Sequence, residues 1–234
     1  MNAKLPIKPL IEDFFHLFFP RLCEGCSSAL YAGEELVCLR CRSLLPSTGY
    51  GKHGDNKVAR LFWGRVHLEK ASSLYFFNKG ARLQVLLHAL KYRNRPDIGV
   101  LLGKWLYEEL CETHWFDDID LLVPIPLHKH KEMKRGYNQA AIIGRGLSQA
   151  SAIPLEEGLL QRQINSGSQT RLSRIARWEN AGKAFAIENT NSIKDKHILL
   201  IDDVITTGAT IEACADKLLG AGARVSALSV ACAF

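Results

Sequence analysis

From residue 66 onward, apolar runs of strand length alternate with longer segments of helical periodicity, and this alternation limits the folds open to the chain. The strand-like runs are ASSLYFF (71–77), IDLLVPIP (119–126), HILLID (197–202) and RVSALSVACAF (224–234). The helical segments are ARLQVLLHALKY (81–92), DIGVLLGKWLYEEL (97–110), GYNQAAIIGRGLSQA (136–150) and TIEACADKLLG (210–220). Strands separated by helices pair in parallel through right-handed crossovers, so we expect an α/β fold, mainly a parallel sheet with helices on both faces.

The stretch HILLIDDVITTGAT (197–210) predicts where a ligand binds. Open α/β sheets bind ligands beyond the carboxyl ends of their strands, and Asp202 and Asp203 come directly after the apolar run of one strand. The loop that follows is small and rich in hydroxyls, and it enters a helix near Thr210. An exposed acidic turn would explain the aspartates, but not the ordered strand, threonines and glycine.

The chemistry of this stretch indicates a phosphorylated sugar. Successive backbone N–H groups in a small-residue loop, together with the positive end of a helix, bind phosphate. Two carboxylates just before the loop are placed to accept hydrogen bonds from vicinal sugar hydroxyls, directly or with a divalent cation nearby. A phosphate at one end and a diol at the other describe a ribose 5-phosphate.

The positive charge of the chain is concentrated in one region. Of the net +6, residues 121–177 carry nine Lys or Arg against three Glu. Such a surplus favours an anionic partner, either a phosphate-bearing small molecule or nucleic acid, although solvated surface lysines give the same composition.

Four of the seven cysteines form two CxxC pairs, CEGC (Cys23, Cys26) and CLRC (Cys38, Cys41), with eleven residues between them. Four thiolates on two tight turns suit tetrahedral Zn²⁺ in a structural role, because no coordination position is left for water. A disulfide or redox pair is the alternative. We expect the other three cysteines to be small core residues.

The sequence divides into four segments: an N-terminal amphipathic helix (1–20), a zinc ribbon (21–46), a Gly- and Pro-rich linker or loop (47–65) and the α/β domain (66–234). The first segment has an apolar side that we expect to pack on the protein, with a membrane-surface role as the alternative. No run reaches the length of a membrane span, and we expect a cytoplasmic protein.

The motifs together resemble a known family. ILLIDDVITTGAT is similar to the signature of type I phosphoribosyltransferases, which bind 5-phosphoribosyl 1-diphosphate with Mg²⁺. The ordered set CEGC, CLRC, HALKYR, VPIPL, KRGYNQA, QTRLSRIARWENAGKAF and this signature resembles the ComF/GntX family of competence-associated phosphoribosyltransferase-like proteins. The fold implied is that of a type I phosphoribosyltransferase with an N-terminal zinc ribbon.

The resemblance assigns roles to individual residues. Asp202 and Asp203 would contact the ribose hydroxyls, and the loop residues would hold the 5-phosphate: Thr206, Thr207, Gly208, Ala209 and Thr210. The diphosphate would be bound by Arg135, Gly136, Asn138, Lys91 and Tyr92. The candidate catalytic residues are Arg135 and three arginines in a segment similar to the loop that closes such sites, Arg171, Arg174 and Arg177; an exposed basic helix is the alternative for these three.

Two functions fit the sequence. One is an enzyme of the glycosyltransferase class that transfers the phosphoribosyl group to an acceptor with release of diphosphate. The other is an accessory of DNA uptake that binds single-stranded DNA and proteins of the competence machinery, with the phosphoribosyl diphosphate site regulatory or vestigial. The zinc ribbon favours the second function, whereas the scarcity of aromatic residues in the basic region weakens it.

Overall fold

The structure is a computed structural model that describes residues 20–162, 185–188 and 190–234. The predicted N-terminal helix, except for its last residue, lies outside the described residues. The same holds for Arg171, Arg174 and Arg177.

The described chain contains seven α-helices and six strands. The helices are α1 (Leu39–Ser43), α2 (Lys57–Arg60), α3 (Arg82–Tyr92), α4 (Pro96–Leu110), α5 (Lys129–Arg135), α6 (Gln139–Ser151) and α7 (Ala209–Gly220). The strands are β1 (Ala71–Phe76), β2 (Leu121–Pro124), β3 (Leu160–Arg162), β4 (Phe185–Ile187), β5 (His197–Ile205) and β6 (Arg224–Cys232). Short 3₁₀ turns lie at Tyr50–Lys52, Cys111–Thr113 and Thr190–Ser192.

Four strands form one parallel sheet in the order β1-β6-β5-β2, which confirms the predicted α/β class. The sheet is apolar on both faces because β5 alternates between two cores. Leu199 and Ile201 pack with α3, α4 and α6, whereas Ile198 and Leu200 pack with α7. A fully buried parallel strand therefore reads as the continuous apolar run seen in the sequence.

Two helices on one face approach each other closely because glycines line their contact. A Cβ added to Gly103 of α4 would lie 2.0 Å from the Ile143 carbonyl oxygen of α6. One added to Gly146 of α6 would lie 2.1 Å from the Val100 carbonyl oxygen. Backbone packs directly on backbone here, which fixes the position of α6 and of the loop that leads into it.

Three elements differ from the sequence-based expectations. Strand β5 continues to Ile205, three residues beyond the predicted end, because the long strand β6 offers it partners as far as Cys232. Residues 129–135, predicted as part of a connection, form α5, and His128 accepts a hydrogen bond from the His130 N–H at its start. The antiparallel pair β3–β4 was not predicted.

The segment predicted as a linker, residues 47–65, packs on the sheet in the structure. It contains a 3₁₀ turn and α2, and Val58 and Phe62 are buried in the core beside α7. The buried side chain of Asn56 accepts from the first N–H groups of α2 and donates to the Ala71 carbonyl of β1 at 2.9 Å. The Asn56 cap of α2 and the contact of Asn56 with β1 therefore hold this segment, although its polar composition suggested a loop.

A polar network holds the opposite, amino-terminal edge of the sheet. The ring of His197, which is fully buried, contacts the Asp118 carboxylate at 2.9 Å and the Ser226 hydroxyl at 2.8 Å. Asp118 also accepts from the Lys70 ammonium at 2.9 Å. These contacts join β5, β6 and the chain entering β1 at the end of the sheet away from the predicted site.

Among the described helices, none combines the length and apolarity needed to cross a membrane.

Candidate functional site

The two aspartates lie in the last part of β5, where they have different surroundings. The Asp202 carboxylate accepts a hydrogen bond from the Asp203 backbone N–H at 2.8 Å. The Asp203 carboxylate forms an ion pair with Lys91, at the end of α3, at 2.7 Å. Both carboxylates are partly buried. The structure thus brings together three residues that the sequence assigned to one site.

Burial and the neighbouring Asp203 charge raise the pKa of Asp202 to about 8. The Asp203 N–H and the more distant Lys91 ammonium act in the opposite direction but do not compensate. At neutral pH the Asp202 carboxyl is therefore mostly protonated. A cation or a hydrogen-bond donor placed beside it would favour its ionisation.

The loop after β5 presents small polar groups at the start of α7. Thr206, Thr207, Ala209 and Thr210 are exposed, while Gly208 is buried and adopts φ 74°. A side chain at Gly208 is excluded by its backbone conformation, and also by Phe62, whose ring would lie 2.8 Å from an added Cβ. The twelve-residue helix α7 directs its first N–H groups toward this loop. The geometry suits an anion.

Arg65 and Phe62 contribute to this loop, and sequence reasoning missed both. The Arg65 guanidinium donates to the Thr207 carbonyl at 3.1 Å and forms an ion pair with Glu212 in the first turn of α7. The only sequence signal was an arginine close to a segment assigned as linker. No local pattern connects residue 65 with residue 207.

The predicted diphosphate residues lie around the end of α3. Arg135 ends α5 with its guanidinium 5.4 Å from the centre of the exposed Tyr92 ring, and it donates to the Gln139 side chain at 2.5 Å. Gly136 follows with φ 82°. Since Tyr92 adjoins Lys91, these side chains form a continuous set with Asp203.

Asn138 has a structural task in this arrangement. Its side chain accepts from the Ala140 N–H at 3.0 Å, which caps α6, and donates to the Ile125 carbonyl at 2.9 Å. Both functions of the amide are engaged, so Asn138 fixes the loop after β2. Its predicted contact with diphosphate stays a prediction, as do the predicted roles of Arg135, Gly136, Lys91 and Tyr92.

The four paired cysteines form one cluster in which all four sulfur atoms lie within 4.8 Å of one another. None is in a disulfide. The Cys38 N–H donates to the Cys23 sulfur at 3.2 Å and the Gly25 N–H donates to the same sulfur at 3.3 Å, contacts that stabilise thiolates. Four converging sulfur atoms fit tetrahedral Zn²⁺, and every ligand position is filled by protein.

The cluster packs on the helices that lead to the site. Arg82, the first residue of α3, donates to the Cys41 sulfur at 3.2 Å. Arg42 lies over the Trp105 ring of α4 and pairs with Glu108 at 2.6 Å. Of the three remaining cysteines, Cys214 and Cys232 are buried as expected, but Cys111 is exposed because it follows the end of α4.

The chain is similar to a family model and to several known proteins. The family model described as "Phosphoribosyl transferase domain" matches residues 135–234. The chain is 26% identical over 203 residues to "Competence protein F" of Haemophilus influenzae, which covers 83% of this chain and 89% of that protein. It is 29% identical over 218 residues to "DNA utilization protein YhgH" of Escherichia coli K12, a match that covers 88% of this chain and 94% of that protein. It is 28% identical over 210 residues to "Competence protein ComFC" of Bacillus subtilis, with 84% of this chain and 83% of that protein covered.

Replacing Asp202 by Asn will change the pH dependence of stability. The pKa of Asp202 is about 8 in the folded state and about 3.9 in the unfolded state. Between about pH 4 and about pH 8 the folded protein therefore holds a proton on Asp202 that the unfolded chain has lost, so the free energy of unfolding falls as pH rises. The Asp202→Asn variant lacks this loss. Urea unfolding near pH 8 will show it more stable than the parent by about 1–2 kcal/mol, a value discounted for partial exposure, and the difference will vanish near pH 4.

Asp118→Asn is the control of opposite sign. Burial alone would raise the pKa of Asp118, but Lys70 and His197 hold it at about 2. Its ionised form therefore stabilises the fold above about pH 4, and the variant will be less stable than the parent at neutral pH. Equal stability of Asp202→Asn and the parent near pH 8 would contradict the raised pKa of Asp202.

Proposed function

Because the chain belongs to the ComF family of type I phosphoribosyltransferase-like proteins, we propose that it binds 5-phosphoribosyl 1-diphosphate with Mg²⁺ and transfers the phosphoribosyl group to an acceptor. One observation carries this proposal. The Asp202–Asp203 pair directly precedes a threonine- and glycine-containing loop at the start of a long helix. The pair supports recognition of the ribose diol, and the loop supports recognition of the 5-phosphate.

Different residues of the site bind different parts of the ligand. The loop N–H groups and the hydroxyls of Thr206, Thr207 and Thr210 bind the 5-phosphate. Asp202 and Asp203 accept hydrogen bonds from the ribose hydroxyls. Ligand binding then releases a proton from Asp202, because this carboxyl is mostly protonated in the free protein at neutral pH. Affinity will therefore rise with pH up to about 8.

The reaction breaks the bond between C1 of the ribose and the diphosphate, and a nucleophile of the acceptor forms the new bond to C1. Positive charge develops on the ribose and negative charge on the leaving diphosphate, so the protein must mainly stabilise the diphosphate. We assign this task to Arg135, Lys91 and the Gly136 backbone, and the contact of Arg135 with Tyr92, which adjoins Lys91, supports the assignment. Asp202 and Asp203 would also be able to hold Mg²⁺, which would supply further charge neutralisation. Arg171, Arg174 and Arg177 would exclude water from the site.

Isothermal titration with 5-phosphoribosyl 1-diphosphate tests the proposal. The parent protein will bind saturably with Mg²⁺, and the Asp202→Asn, Asp203→Asn double variant will bind about 100-fold more weakly, since several hydrogen bonds to the diol are lost. Asp117→Asn, an exposed carboxylate near the opposite edge of the sheet, is the matched control and will bind as the parent does. Absence of saturable binding by the parent, or equal binding by the double variant, would refute the site assignment.

We also propose that the cysteine cluster, Cys23, Cys26, Cys38 and Cys41, holds a structural Zn²⁺. The surrounding module is small and exposes several of its apolar side chains, including Leu22, Tyr31 and Leu39, so its own burial is limited. Metal binding would then supply much of its folding free energy. Reduced thiolates of this kind fit the cytoplasm, where we expect the protein to act.

Metal analysis of the purified protein will return about one zinc per chain. Cys38→Ser will bind zinc substoichiometrically and will unfold at lower urea concentration, because three remaining thiolates leave one coordination position unfilled. Cys111→Ser, which removes an exposed cysteine outside the cluster, will keep the full zinc content. Zinc content well below one in the parent, or unchanged content in Cys38→Ser, would remove the metal assignment.

A second candidate function is binding of single-stranded DNA in a competence role. The named relatives are competence and DNA utilization proteins. Two exposed aromatic rings that each lie beside an arginine also support it. The Arg60 guanidinium lies 5.8 Å from the centre of the Trp63 ring, and the Arg135 guanidinium lies 5.4 Å from that of Tyr92. Bases stack on such rings while arginines contact the phosphates. Proteins of the competence machinery would be further partners.

Fluorescence anisotropy with a labelled single strand tests this second function. Affinity will fall steeply with salt, and Trp63→Ala with Tyr92→Ala will weaken binding at least about tenfold, because stacking of two bases is lost. His114→Ala is the matched control, since this exposed ring lies near the amino-terminal edge of the sheet, away from both the site and the cysteine module. Salt-independent or undetectable binding would exclude this function and leave the phosphoribosyl diphosphate proposal intact.

A further inference from the structure

Side chains from the end of the segment 47–65 contact the loop after β5, which we call the phosphate loop. Phe62 is 1% exposed and packs in one apolar cluster with Ile205 and Ile211, which lie on either side of the loop. Its ring is also the group that a Cβ on Gly208 would meet. Contact with this ring therefore sets the distance between the loop and the apolar core.

Arg65 fixes the orientation of one peptide group in this loop. Its guanidinium donates to the carbonyl of Leu61 at 3.0 Å and to the carbonyl of Thr207 at 3.1 Å. In a trans peptide the C=O and the following N–H point in opposite directions. Because the Thr207 carbonyl is turned toward Arg65, the Gly208 N–H is turned away from it, toward the side where a ligand binds. Within the described residues, this N–H donates to no protein acceptor.

Arg65 also neutralises the one acidic side chain in the first turn of α7. Glu212 is favoured there by the helix dipole, but its charge would repel a phosphate bound at the same helix end. The ion pair with Arg65 offsets that charge, and the Glu212 side chain is only 13% exposed. The same guanidinium thus orients a donor and reduces a repulsion.

From this geometry we infer that Arg65 is a positioning residue for the phosphate loop: it turns the Gly208 N–H toward the ribose phosphate and shields that phosphate from Glu212. This inference rests on the proposed function, since it presumes that a ribose 5-phosphate occupies the loop. It assigns a binding role to the segment 47–65. No contact between Arg65 and the ligand is needed.

Separate titrations with ribose 5-phosphate and with inorganic diphosphate plus Mg²⁺ test the inference. Arg65→Gln will weaken ribose 5-phosphate binding about tenfold, the loss expected when an oriented charge-assisted contact is removed, and will leave diphosphate binding unchanged. Arg224→Gln is the matched control, because the Arg224 guanidinium also pairs with a carboxylate, that of Asp118, but at the amino-terminal edge of the sheet, away from this loop. Adding Glu212→Gln to Arg65→Gln will recover part of the lost affinity.

Arg65→Lys covers the case in which Arg65→Gln unfolds. It keeps the charge near Glu212 but has no planar guanidinium to bridge two carbonyls, so its ribose 5-phosphate affinity will lie between those of the parent and Arg65→Gln. Parent-like ribose 5-phosphate binding by both variants, or an equal loss of diphosphate binding, would overturn the positioning role. Failure of the parent itself to bind ribose 5-phosphate would instead refute the proposed function from which the inference starts.

Discussion

The position of β5 between two parallel partners is the constraint on which the site depends. β6 pairs with it from His197 to Ile205, and β2 pairs with its apolar part, Ile198 to Ile201. Its apolar residues are buried on both faces. The two aspartates that follow are held beside β6, where burial and the Asp203 charge raise the pKa of Asp202 and Lys91 pairs with Asp203.

The sequence predicted the elements whose signals are local. The apolar run before Asp202, the small-residue loop and the periodicity of α3, α4, α6 and α7 depend only on neighbouring residues, and all are present in the structure. The contacts of Arg65 with Thr207 and of Lys91 with Asp203 could not be derived in this way, because they join segments separated by more than a hundred residues. Lys91 entered only through family resemblance. Because residues 47–57 are polar, the sequence did not indicate that the residues after them pack in the core.

The packing of the cysteine module suggests why a small-molecule site would carry one. Helix α3 begins at Arg82, which contacts the Cys41 sulfur, and ends beside Lys91, which contacts Asp203. A single helix of eleven residues therefore has one end at the cluster and the other at the carboxylate pair. Its middle is held by buried leucines. The module and the site share a structural support even though they lie in different predicted segments.

The order of the strands has a consequence for how the chain folds during its synthesis. β6 comes last in sequence among the described strands, yet it lies between β1, the first, and β5. Until residues 224–232 are available, β1 has no partner in this sheet and exposes an unpaired edge, which favours aggregation. Such long-range pairing also slows folding, because distant segments must come together before their contacts can stabilise the chain. The nascent protein therefore resembles an incomplete sheet until β6 has been synthesised, and chaperones have most reason to act on it before that point.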